Sequence, residues 1–215
     1  MIPLPKIRVR VIKKNPDWEQ VDELRRMSYG RHPESYKTGS SPVLRSGLTL
    51  GVFDAAEKLL CSMRLHEAGG ESLPPVLEGP TKDLLATLKL PNAFLIDKFV
   101  AQPDISVKSE IATFALCAAV LLLAEKAPKS ANLMWAIAFA QKPLARRYTR
   151  VYGFKSLDPR EWSLPDLSEN SYYAVGNSLP SFQNHPSTHP LFRMLITEKR
   201  PDVEFSPELG DTFPV

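Results

Sequence analysis

The sequence predicts an α/β layered fold in which helices flank one mixed sheet. Three observations carry this expectation. Short alternating or apolar runs recur between helical stretches, so strands and helices must share a core. Two of those runs, residues 48–54 and 58–68, flank a tight "AAE" turn and read as an antiparallel hairpin. The second half runs strand, helix, strand, helix, which implies parallel pairing beneath covering helices.

The elements follow in order. Residues 6–13, "KIRVRVIK", alternate charged and β-branched side chains and read as a half-exposed strand. In "NPDWEQVDELRRMSYG", Asn15 suits a helix cap, Pro16 the first turn and Gly30 the end. Trp18, Val21, Leu24 and Ser28 mark one face of that helix. Residues 31–47 are polar and broken by proline and glycine, so they read as a loop. After the hairpin, residues 68–93 form an excursion with a short helix near "TKDLLATL". "NAFLIDKFVAQ" reads as a central strand. The helix over 106–126 is apolar all round its middle and so is buried on several sides. "NLMWAIAFA" is a second buried strand. "KPLARRYTRV" is a helix with Pro143 in its first turn, ended by Gly153 in the left-handed conformation that glycine adopts cheaply. "YYAVGN" is a further strand, and "HPLFRMLI" suits a short helix in an otherwise irregular, proline-rich stretch. The expected division is one domain over 1–175 and an extension over 176–215 packed on it.

Bulk numbers narrow the function classes. At 215 residues and 43% hydrophobic, the chain can bury a core of ordinary size. A net charge of +3 argues against a dedicated nucleic-acid binder. Cys61 and Cys117 lie in apolar runs and read as reduced core thiols, which suits the cytoplasm. The N-terminus lacks a signal-peptide core, and "IATFALCAAVLLLA" is too short to span a bilayer. No spacing of His, Cys or Asp supports a metal site, and no P-loop or G-x-S-x-G pattern occurs.

Specific residues then point to a family. "IDKFVAQP" (96–103), the long helix after it, "NLMWAIAFA", and the aromatic–glycine–aromatic corner of "RRYTRVYGF" (146–154) occur in one order. Together they resemble the GNAT acyltransferase superfamily over about residues 6–175. The resemblance implies a mostly antiparallel sheet whose fourth and fifth strands splay apart. "ELRRMSY" (23–29) and "CSMRL" (61–65) are similar to segments of long-chain N-acyl amino acid synthases and acyl-homoserine-lactone synthases. Those enzymes move a fatty acyl group from acyl carrier protein to an amine.

The resemblance implies an N-acyltransferase with no tightly bound cofactor, and the reduced cysteines suit a cytoplasmic one. Its donor is an acyl thioester, on acyl carrier protein phosphopantetheine or on CoA. Its acceptor is a small-molecule amine such as an amino acid. An acetyl-CoA-dependent N-acetyltransferase and an inactive binding module are the alternatives.

Candidate residues follow from the same match. Tyr148 is the implied acid for the leaving thiolate, with Tyr152 as competitor. Asp97 is the implied base, with His66 and Glu67 behind it, and a structural pair of Asp97 with Arg64 or Arg25 is the competing reading. Phe99, Val100 and Ala101 would lie along the thioester arm, and Ser106, Lys108 and Ser109 near its phosphates. Arg25, Tyr29 and Arg64 would hold the acceptor, two guanidiniums suiting a carboxylate. Arg146, Arg147 and Arg150, with Lys142, would dock an acidic carrier protein or form a solvated face. His32, His185 and His189 read as surface residues.

Three departures from the family pattern stand out. Tyr148 lies five residues before Gly153 where four is usual, and one residue rotates a helical side chain by about 100° unless a bulge absorbs it. Asp97 and Lys98 stand where Glu and Arg are common. "QPDISVKSEIA" lacks the glycines that let a backbone close on pyrophosphate.

Overall fold

A computed structural model describes residues 4–29, 47–68, 73–90, 92–103, 107–126, 135–164, 171–178, 189–197 and 200–207. The chain runs β1 (Ile7–Val11), α1 (Asn15–Tyr29), β2 (Leu48–Asp54), β3 (Leu59–Glu67), α2 (Pro75–Leu88), β4 (Phe94–Ala101) and α3 (Val107–Lys126). It continues with β5 (Trp135–Gln141), α4 (Lys142–Tyr152), β6 (Lys155–Ser163), β7 (Ser171–Ser178), α5 (Pro190–Thr197) and β8 (Val203–Phe205).

The strands form one sheet in the order β6-β7-β5-β4-β3-β2-β1-β8. Among the described residues, only β4–β5 and β1–β8 pair in parallel, and the other neighbours are antiparallel. The hairpin forms as expected, closed by Asp54, whose carboxylate accepts the N–H groups of Ala56 and Lys58. That is local side-chain capping of a turn, which spares the sheet's own backbone donors.

Burial divides by strand alternation. Cys61, Met63 and Leu65 of β3 and Phe94 and Ile96 of β4 face α3 in the main core, with Phe114, Ala115 and Ala119 opposite. Tyr148 and Tyr152 put α4 on that same face, with Phe154 just beyond its end. Trp18, Val21 and Leu24 of α1 cover Phe53, Leu59 and Val100 on the other face. Leu77, Leu84 and Leu85 of α2 cover Leu95, Ile137 and Ala174 there. Among the described residues, no helix is long and apolar enough to cross a membrane.

Four features extend or amend the expectations. The helix expected near 81–88 begins earlier, at Pro75, a residue suited to a first turn. β6 is an exposed edge strand carrying Pro159, so it has no apolar alternation to read. β7 crosses the expected boundary at 175, and β8 joins the sheet beside β1. His189 is half-buried rather than a surface residue; its ring stacks on Phe114 with centroids 4.9 Å apart, and its Nδ1 accepts the Leu191 N–H. Gly30, His32 and His185 lie outside the described residues.

Candidate active site

The site begins where two strands part. β4 and β5 pair through Phe94↔Ala136, Leu95↔Ile137 and Ile96↔Ala138, and no pairing continues beyond Ile96 among the described residues. The cause is visible in β4. Between the pairs Arg64↔Asp97 and Ser62↔Val100 it advances three residues while β3 advances two. Lys98 takes up the extra residue with φ 47°, a left-handed conformation uncommon for a side-chain-bearing residue. Such a bulge bends its strand and sharpens the local twist. Meanwhile β5 stays paired to β7 along its whole length, so β4 turns away from it.

A cleft of about 340 Å³ fills the gap. Asp97, Lys98 and Phe99 line it from β4, and Ala138, Phe139, Ala140 and Gln141 from β5. Pro143, Leu144 and Tyr148 close it on the α4 face, while Ser28 of α1 and Leu77 of α2 reach it from the opposite face. The cleft therefore passes through the sheet. Its apolar residues from β5, α2 and α4 were not legible as a site beforehand, because each reads as ordinary core.

The bulge the helix needed is present at its end. The Gly153 N–H reaches the Tyr148 carbonyl five residues back, and the Phe154 N–H reaches it too, at 3.2 Å. An α-helical bond spans four residues, so the last turn is wider by one. Gly153 closes it with φ 70°. Tyr148 thus faces the cleft, edge-on to Phe99 with ring centroids 6.4 Å apart. Tyr152 points elsewhere, packing edge-on against Phe114 of α3 at 5.8 Å; burial, foremost, pushes its phenol well above the ordinary tyrosine range.

The polar residues gather on the α1 side. Arg64, 2% exposed, donates from Nε to Asp97 Oδ1 at 2.8 Å and from Nη2 to Oδ2 at 2.5 Å, a bidentate pair. His66 Nε2 lies 3.4 Å from Asp97 Oδ1 and is fully buried. Burial alone would raise the Asp97 carboxyl, but the hydrogen bonds and charges of Arg64 and His66 outweigh it and hold it far below the usual carboxylate range. Arg25 is buried, with its guanidinium 5.9 Å over the Trp18 ring. Burial, then the charges of Arg64 and Arg25, lower the Lys98 pKa against the opposing pull of Asp97. Glu67 is exposed and accepts the Asn92 side-chain amide.

The remaining sequence candidates scatter. Val100 packs its side chain under α1, and Ala101 packs against the main core. Both keep their backbone paired to β3, so a thioester arm could meet them only along the unpaired edge. Arg146, Arg147 and Arg150 are exposed on the outer face of α4. Lys108 and Ser109 lie in the first turn of α3, and Tyr29 ends α1. Ser106 lies outside the described residues. No group of His, Cys, Asp or Glu among the described residues could hold a metal ion.

No protein-family model matches the chain, and no curated protein matches its sequence. Solved structures do match. The N-acyl amino acid synthase FeeM from uncultured soil microbes aligns with TM-score 0.64 at 15% identity, over 86% of this chain and 95% of that one. The AHL synthase LasI aligns with TM-score 0.59 at 10% identity, over 91% and 100%. The CoA-dependent acyl-homoserine lactone synthase MesI aligns with TM-score 0.53 at 14% identity, over 92% and 98%. At these identities the shared property is the fold. With its mostly antiparallel sheet, parallel β4–β5 pair and parted strand ends, the chain has the fold of the GNAT acyltransferases.

Proposed function

We propose that this chain is an N-acyltransferase that moves a long acyl group from a thioester, on acyl carrier protein or CoA, to the amine of a small molecule such as an amino acid. The observation that carries the reading is the position of Tyr148 over the gap where bulged β4 leaves β5. An extended thioester arm can lie along the unpaired edge of β4, where a backbone N–H near Phe99 would polarise its carbonyl. The amine nitrogen attacks that carbon, the C–N bond forms, and the C–S bond breaks. Tyr148 gives its hydroxyl proton to the departing sulfur and is reprotonated by solvent.

Asp97 is a poor proton acceptor, because Arg64 and His66 favour its charged form. Its part in this reading is to fix Arg64 and to accept a hydrogen bond from the amine, whose proton leaves to water at the cleft mouth. Two further observations support a long acyl group and a carrier-protein donor. The cleft walls include Leu77, Leu95, Phe139 and Leu144, and an acetyl group would leave most of that apolar surface unfilled. The exposed Arg146, Arg147 and Arg150 suit an acidic protein, steering its approach.

The test is thiol release from palmitoyl-CoA and from palmitoylated acyl carrier protein, with amino acids as acceptors, in the native chain and in Tyr148→Phe. The variant should lose about 10²-fold in turnover, the lower range for a positioned acid, with its unfolding midpoint unchanged. Native turnover in the variant would remove Tyr148 as the acid. No release by the native chain from either donor would favour an inactive fold that only binds.

A further inference from the structure

On the face away from Tyr148 the cleft has two unlike ends. Beside α1 its walls are polar, with Ser28 and Asp97. Beneath α2 they are Leu77, Leu95 and Phe139, with the Tyr172 ring. A thioester carbon carries its sulfur and its acyl chain on opposite sides. With the sulfur held at Tyr148, the chain points away from α4 and through the gap between β4 and β5. Beyond the gap, hydrocarbon takes the apolar end, because water is excluded more favourably there.

That end is walled. On β5, Phe139 stands between Ala138 and Ala140 in sequence and is less buried than either, with part of its side chain on the cleft. Ile137, the next β5 residue on the same face, is fully buried core. Trp162 of β6 meets Phe139 edge-on, with ring centroids 5.3 Å apart. Its backbone pairs with Tyr172, so both rings stand on this face of the sheet. The Arg160 guanidinium lies over the indole, 4.5 Å from its centroid. Arg160 is itself held, donating to Asp158 and to Asp83 and Thr87 of α2. The stack therefore ties the edge strand β6 to the helix that roofs this end of the cleft. The indole Nε1 is buried without an acceptor among the described residues. A buried tryptophan usually finds one, so packing rather than hydrogen bonding sets the place of this ring.

We infer that Phe139, backed by Trp162 and Arg160, is the end wall at which the tip of the acyl chain stops, and that it sets the longest acyl group transferred efficiently. This rests on the acyl-transfer reading above and adds a length limit to it. An overlong chain has to displace Phe139, whose retreat the indole blocks, and close-packed interiors yield little. A chain that is too short leaves the wall's apolar surface uncovered. Phe139 acts by contact with the acyl group, and Trp162 and Arg160 act only through Phe139.

The experiment measures kcat/KM along a ladder of saturated acyl-CoA donors, from butyryl to behenoyl in two-carbon steps, and of the same acyl groups on acyl carrier protein. Mixed amino acids serve as acceptors. The native chain is compared with Phe139→Leu and Trp162→Ala, and unfolding midpoints are recorded for each. Native turnover should rise with length to a maximum and fall about tenfold or more at the next longer donors, the range that a methylene commands in an apolar pocket. Phe139→Leu should move the maximum to longer donors by at least one step. Trp162→Ala should move it the same way without touching the acyl group. A native profile that stays level or keeps rising to the end of the ladder overturns the inference. So does an unmoved maximum in Phe139→Leu, including a loss shared equally by all donors, which marks a structural role. A shift in Phe139→Leu without one in Trp162→Ala overturns the backing. Each of these leaves acyl transfer standing. Absence of turnover with every donor overturns the acyl-transfer reading and this inference with it.

Discussion

Removing the negative charge of Asp97 while keeping its shape, as in Asp97→Asn, separates two roles that one carboxylate could play. In the structure its side chain is 14% exposed and that of Arg64 is 2% exposed, so neither charge is satisfied by water. The substitution leaves Arg64 buried beside Arg25 and Lys98 without its bidentate partner. Breaking one side of a buried ion pair costs about 3–5 kcal/mol. For a chain of this size, about 2–4 °C of midpoint per kcal/mol predicts a fall of about 6–20 °C. Thermal and urea unfolding measure it. A double change, Arg64→Met with Asp97→Leu, should recover much of the loss, because no lone charge remains buried. The same pair fixes a pH dependence. Asp97 binds its proton less tightly folded than unfolded, so its stabilisation is whole above about pH 4 and declines as the pH falls below that. Asp97→Asn should flatten this acid limb. An Asp97→Asn chain as stable as the native one, yet with turnover down by orders of magnitude, would refute the reasoning and restore Asp97 as the base.

Other substitutions test separate parts of the frame. Gly153→Ala forces a side chain into φ 70° at the wide turn that aims Tyr148; unfolding should register about 1–2 kcal/mol of lost stability, and turnover should drop with it. Gly176→Ala places a Cβ 2.4 Å from the Ala136 carbonyl, across the β5–β7 ladder that keeps β5 from following β4. Crowding of this kind costs about 1–3 kcal/mol, measurable by urea titration. Burial pushes the Cys117 thiol up to about 12 and that of Cys61 well above its ordinary value. Iodoacetamide at pH 8 should therefore label neither until denaturant is added, as mass spectrometry would report.

What could be read from the sequence follows physical rules. The hairpin, β4 and β5 were legible because each buries a contiguous or alternating apolar set, and α4 because Pro143 and Gly153 mark its ends. β6 was not, since a mostly exposed edge strand carrying Pro159 has no regular period to detect. β8 is three residues long and is held by pairing to β1, a partner distant in sequence. At the site, Tyr148 was legible by its place before Gly153, and its facing depended on a turn one residue wide of the α-helix, which only backbone geometry reveals. Lys98 was read only as a departure from the family pattern, because charge on a strand gives no hint of a bulge. The signal was available in its neighbours: "DKF" interrupts an otherwise apolar central strand with two adjacent charges, an arrangement a regular buried strand does not accommodate.

The central claim, that acyl transfer to nitrogen occurs where β4 parts from β5, is tested most directly by looking for the new bond. The native chain is incubated with palmitoylated acyl carrier protein or palmitoyl-CoA and a mixture of amino acids, and the products are read by mass spectrometry. The expected product is an N-palmitoyl amino acid, formed together with an equal amount of free thiol and greatly reduced in Tyr148→Phe. Free thiol with palmitate alone, or no consumption of either donor, would contradict it.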